Sequence, residues 1–239
     1  MENLPEGEQL TPPSAARVAA RALALATVTC RAQLERDDDA EEAEIRHHHL
    51  CRWLDRLGIA EELEEDENAL IRAPIGRLNQ QSLIDATWRS EGLLVLGWSL
   101  GRAEMVRHDE QCDPAYLASE VGWLRERSDT VLTRPLLRER TLIEHWANTY
   151  CTIHWRLRQY GIDRGPIDFP GLVARANWGP LTLADVDLIE GDLSIRGERI
   201  DRVPTQWQHA AQSIVQERHQ AFNWLLGIEP IYSLVPTDT

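Results

Sequence analysis

Lysine is absent from all 239 residues, and each of the 25 basic side chains is arginine. Chemistry that needs an ε-amine is thereby excluded. That covers a Schiff base with a carbonyl substrate, covalently held pyridoxal phosphate, and the lysine of a phosphate-binding loop. Cysteine is scarce and scattered. Cys30, Cys51, Cys112 and Cys151 form no CxxC pair, so free thiols in a reducing compartment are expected rather than a disulfide framework. The opening MENLPEGEQL is acidic and polar, without the apolar stretch of a secretory signal. Uncharged runs fall far short of the ~20 residues that cross a bilayer. The expectation is a cytoplasmic protein with no membrane span.

Positive charge is also in short supply. With 39 acidic residues the net charge is -14, the wrong sign for neutralising nucleic-acid phosphates or binding an anionic membrane surface. No phosphate-binding glycine loop, dinucleotide fingerprint or HExxH occurs, and no cofactor is expected. Phenylalanine occurs twice against nine tryptophans. Trp88, Trp98, Trp146, Trp155 and Trp224 fall on or beside apolar helical stripes, which is the pattern of core packing rather than of an aromatic ligand cage.

What is present is a chain of amphipathic helices. Residues 78–101, LNQQSLIDATWRSEGLLVLGWSLG, read as one helix apolar around nearly its whole circumference, hence buried. Further helices are expected over residues 14–35, 41–57, 60–72, 114–127, 136–160 and 204–226, with one helical turn near 171–176. Between 186 and 203 three short segments, separated at Gly191-Asp192 and Arg196-Gly197, predict a small antiparallel meander. Residues 1–12 read as a disordered lead-in, and 13–239 as a single domain that is mainly α. The tail, 228–239, is expected to lie back over the core.

Five segments occur together in order: IDATWRSEGLLVLGWSLG (84–101), HWRLR (154–158), LIEGDLSIRGERI (188–200), SIVQERHQAFNWLLG (213–227) and the terminal PTDT. As a set they resemble a bacterial family of uncharacterised proteins, the domain of unknown function numbered 4272. Two departures stand out. Tyr232-Ser233 lies where the family favours Trp-Asp, and Ser99 where it favours Ala. The resemblance implies bacterial origin, a cytosolic setting and a mostly helical fold; it brings no activity with it.

Three motifs suggest chemistry. Gly97-Trp98-Ser99-Leu100-Gly101 fits the G-x-S-x-G nucleophile elbow, but the preceding residues keep a helical period where the elbow needs a strand. His47, His48 and His49 are consecutive, so on a helix they point about 100° apart and cannot chelate one ion together. The pairs His47/Cys51, His48/Cys51, His108/Cys112 and Cys151/His154 share faces, yet nothing brings their helices together, and no metal is expected.

The third is a set of charges on apolar faces. Glu91 falls on the stripe Ile84, Trp88, Val95, Trp98, and Arg218 on Ile214, Ala221/Phe222, Leu225. A buried charge is strongly unfavourable unless paired. Glu91 is therefore expected to pair with Arg218, or otherwise with Arg156 or Arg158, with His154, Glu217 and His219 nearby. From residue 35 to 67, fourteen acids stand against four arginines, enough for one acidic face. Two functions follow as expectations. One is a protein-binding module, immunity- or antitoxin-like, whose acidic face meets a basic partner. The other is an enzyme or small-molecule binder using the cluster around Glu91, His154 and Arg218. Oligomeric state has no signature in the sequence.

Overall fold

The stretch expected to be most buried forms α4 (Gln80–Ser99), started by Asn79, whose side chain accepts from the Ser82 amide. In this computed structural model, which describes residues 11–176, 179 and 181–238, every residue from 90 to 100 is buried. The first turns are less so, and Ile84, placed on the inner stripe by its spacing, is 36% exposed. The circumference is apolar only where two helices sandwich α4.

One of those helices is α1 (Ala15–Leu34), capped by Ser14 and carrying the expected inner face Val18, Ala22, Leu25, Val28. Its outer side is covered by α2 (Ala40–Leu57), α3 (Glu65–Arg72) and α5 (Pro114–Val121). On the far side of α4 lies α8 (Thr205–Leu225), and α6 (Arg140–Ile162) packs on α8. The core is thus a stack in the order α1, α4, α8, α6. The short α7 (Phe169–Arg175) and the meander β1 (Leu188–Ile189), β2 (Asp192–Ile195), β3 (Glu198–Arg199) close one end. No described helix is long and apolar enough to cross a membrane.

Several boundaries differ from expectation for local reasons. α5 stops at Val121 because Gly122 takes φ 85°; a side chain there would also meet the backbone of Asp129 and Thr130. α6 begins at Arg140, and Leu136 is left 79% exposed. Ile45, expected inward on α2, is 47% exposed. The expected lead-in, residues 1–12, lies outside the described residues except for Thr11 and Pro12, whose backbone passes close to Gly227. The tail does fold back, on Tyr232 and Val235, while Ile228, Ile231 and Leu234 face outward.

The meander carries one register correction. Ile189 pairs with Asp192 and Ile195 with Glu198, so the two-residue turns are Glu190-Gly191 and Arg196-Gly197. All four residues have positive φ, 50°, 79°, 55° and 80°, the signature of type I′ turns, whose twist suits a hairpin. Asp192, expected in the first turn, is instead a fully buried strand residue.

Candidate ligand cleft

The geometry divides the expected polar cluster into five separate groups. Glu91 and Arg218 meet: the guanidinium donates from Nε and Nη2 to Glu91 Oε2, at 2.8 and 2.6 Å. Arg156 is elsewhere, donating to both oxygens of Asp192 at 2.7 and 2.6 Å. Arg158 is exposed at the end of α6, beside Asp238 and the Thr237 carbonyl. Glu217 accepts from Arg89 at 3.1 Å; burial raises its carboxyl above the usual range, against the pull of Arg89. His154 and His219 form a pair of their own, Nδ1 to Nδ1 at 3.0 Å.

The two rings meet edge to edge, with their centroids 5.2 Å apart and their planes at 76°. Across the hydrogen bond between them one ring donates and the other accepts. Both are held neutral. Burial first, then the Arg158 charge, lowers His154 to about 4, and burial with its partner lowers His219 to about 3.

The other sequence motifs are also spent within the fold. Ser99 ends α4, fully buried, with its hydroxyl on the Leu96 carbonyl. His47 bonds the Ile71 carbonyl through Nε2, and the Cys51 sulfur lies 3.5 Å from that nitrogen. His108 bonds the Ser194 carbonyl, and the Cys112 thiol donates to that of Ser90. Burial, aided by the Glu91 charge, pushes that thiol up to about 12. Among the described residues no group of three or more His, Cys, Asp or Glu is arranged to hold a metal.

Glu91 and Arg218 are 1% and 0% exposed, and their remaining bonds show what they hold. Arg218 Nη1 donates to the carbonyls of Val106 and Arg107 and to the Tyr150 hydroxyl; Nη2 also donates to the carbonyl of Glu110. Glu91 Oε1 accepts from the Cys112 amide at 3.1 Å. The ion pair is thus a buried clamp on the connection between α4 and α5. A loop has no ladder to satisfy its carbonyls, and here one guanidinium satisfies three of them.

The clamped loop forms one wall of a cleft of about 600 Å³, closed by the Arg196-Gly197 turn and the first turns of α8. Trp207, Ala210 and Ile214 supply an apolar floor. Arg107, Asp109, Glu110, Gln111 and Arg196 supply the polar rim. Arg107 is already neutralised: it donates to both oxygens of Asp109 at 3.1 Å and lies 2.9 Å from Asp187. Asp109 also accepts the Arg196 amide, tying the turn to the loop. The Arg196 guanidinium lies 3.7 Å over the Trp207 ring and has no carboxylate partner among the described residues. Neither residue stood out in the sequence, since exposed positions carry no periodic signal. The arginine was legible only as half of a turn.

Fold and cleft together define a mainly α-helical protein, in which a stack of buried helices holds the α4–α5 loop against a β-turn. The chain belongs to the family named for the domain of unknown function DUF4272, whose sequence profile matches residues 2–174. That range ends within α7, so the Glu91–Arg218 clamp joins a residue inside it to one beyond it. No curated protein and no solved structure matches the chain.

Proposed function

We propose that this protein binds a small polar molecule in the cleft between the α4–α5 loop, the Arg196-Gly197 turn and α8. The supporting observation is a contrast between the two hairpin turns. Each places a charged residue in the left-handed region, which costs a non-glycine residue about 1–2 kcal/mol. At the first turn the charge is used internally: Glu190 accepts from Arg199 and Arg202. At the second, Arg196 has no such partner and stands on Trp207 at the cleft mouth. The type I′ turn accounts for the backbone conformation of both residues; what differs is that the Arg196 guanidinium is left without a counter-charge among the described residues at the cleft mouth. The clamp's part is positioning, because it fixes the loop wall without facing the ligand. Thermal shift against a library of small carboxylates, phosphates and zwitterions tests this. Stabilisation of the wild type that disappears in both Arg196→Gln and Trp207→Leu is expected. Hits that survive both substitutions would place the site elsewhere.

A second reading, binding of a basic protein through the acidic N-terminal half, draws support from α2. There Glu41 and Glu44, with Asp38 just before the helix, are exposed around Ile45 and form no ion pair among the described residues. The face is smaller than the charge count implies, because Glu35, Glu62, Glu64 and Glu67 are engaged by Arg31, Arg17 and Arg21. Salt-sensitive capture of a basic protein, lost in Glu41→Gln/Glu44→Gln, would favour it. Cytoplasmic residence accords with either reading, since all four cysteines are free thiols.

A further inference from the structure

We infer that the ligand class of the cleft is a zwitterion with an apolar or aromatic side chain, an α-amino acid or a close analogue. This rests on the cleft reading above and goes beyond it. The charges of the rim decide the matter. Arg107 and Asp109 neutralise each other in a bidentate pair, with Asp187 completing the arginine's partners. Two rim charges then have no ion-pair partner among the described residues, the Arg196 guanidinium and the Glu110 carboxylate. Glu110 is exposed at its side chain, but its carbonyl is pinned by Arg218 at 2.7 Å, so the carboxylate projects from a fixed backbone. The arginine is mounted as firmly, its amide bound to Asp109 and its guanidinium seated on Trp207.

One open cation and one open anion, on a rim whose remaining arginine is already matched by carboxylates, match a molecule bearing one charge of each sign. A guanidinium presents a planar fork that suits a carboxylate, and the glutamate offers an acceptor for an ammonium. A dianion such as phosphate would meet Asp109 and Glu110 on the same wall. Beneath the rim, Trp207 is 39% exposed and provides apolar surface for a side chain, backed by the buried Ile214. A volume of about 600 Å³ falls within the range of small-molecule sites.

The test uses three probes with the same phenyl body: L-phenylalanine, 3-phenylpropionate without the ammonium, and phenethylamine without the carboxylate. Binding to the full chain is read from the Trp207 indole N–H resonance, assigned with the Trp207→Leu variant. Phenylalanine is expected to bind at least tenfold more tightly than either truncated probe. Arg196→Gln should erase its advantage over phenethylamine, and Glu110→Gln its advantage over phenylpropionate. Both substitutions are at exposed positions, so folding is retained. If phenylpropionate binds as tightly as phenylalanine, and still depends on Arg196, the zwitterion is wrong while the cleft stands. If phenylalanine binds without any dependence on Arg196 or Trp207, both fall. If none of the three probes moves the resonance, the ligand class is overturned, and the cleft is judged by the library alone.

Discussion

Gly92 and Tyr232 share one space: a Cβ on the glycine would overlap the tyrosine hydroxyl. The glycine sits in the buried half of α4, where a residue of poor helix propensity is otherwise costly. Its role is to admit the C-terminal segment. Tyr232 is 1% exposed, with the guanidinium of Arg21 4.6 Å from its ring centre on one side and that of Arg89 at 5.8 Å. Its carbonyl is held by Gln220. Its hydroxyl has no hydrogen-bond partner.

Gly92→Ala is expected to destabilise the fold by roughly 1–3 kcal/mol through overpacking. Tyr232→Phe should be neutral or mildly stabilising, because a buried hydroxyl without a partner contributes nothing favourable. Combined, the two should recover most of the loss, since the remaining neighbours of the added methyl stand at 3.4 Å. Urea denaturation of the four proteins completes the cycle. Strict additivity would show that the hydroxyl is not what the methyl meets.

The Glu91–Arg218 clamp predicts a different signature. Arg218→Met leaves one buried carboxylate and three loop carbonyls without their donor, and Glu91→Gln removes the counter-charge. Each should cost about 3–5 kcal/mol, as when one partner of a buried pair is lost. The double variant Glu91→Leu/Arg218→Met should regain stability relative to the single changes, while amide exchange over residues 102–113 stays fast. Slow exchange there in the double variant would mean that the loop does not depend on the clamp.

How much of this could be read in advance follows from where each residue lies. Glu91 and Arg218 were legible because a charge interrupting an apolar stripe at helical spacing has to face the core, and a buried charge has to find its opposite. Arg156 faces the core too, but its partner Asp192 was hidden by a register shift of one. Reading Gly191-Asp192 as the turn puts the carboxylate in solvent; the turn at Glu190-Gly191 points it inward, since one residue of slip swaps the faces of a strand. Helix existence followed from periodicity; the end of α5 is set locally by Gly122, whose left-handed φ stops the helix, whereas the start of α6 at Arg140 carries no side-chain cap to announce it. The cleft was invisible because tertiary packing builds it. Arg196 and Trp207 are eleven residues apart on exposed positions, and only the packing of the meander on α8 joins them.

Arg156→Met should be among the most damaging single changes, because it strands Asp192 in a site with no exposure. Asp192 also accepts from the amides of Ile167 and Leu193, so it organises the segment leading into α7 as well as β2. Asp192→Asn keeps the shape but loses the charge, and is expected to cost less than Arg156→Met. Chemical denaturation of both variants checks the order; a milder effect from the arginine change would mean that the carboxylate finds water.

The His154–His219 pair makes stability depend on pH with a definite sign. In the unfolded chain both imidazoles take up protons near pH 6.5. In the fold they resist until about 4 and 3, so between these values the unfolded chain binds more protons. The contribution is therefore complete above pH 6.5 and is lost as the pH falls toward 4. From pH 7 to pH 5 each ring accounts for roughly 2 kcal/mol at most. His108, lowered mainly by burial, adds in the same direction, and Glu217, raised by burial, opposes it at lower pH. Replacing both rings, as His154→Leu/His219→Leu, should leave only a shallow slope between pH 7 and 5. Because the paired rings already exclude charge, the double change should cost less at pH 7 than it recovers at pH 5. An unchanged slope in urea titrations at the two pH values would assign the acid sensitivity to other groups.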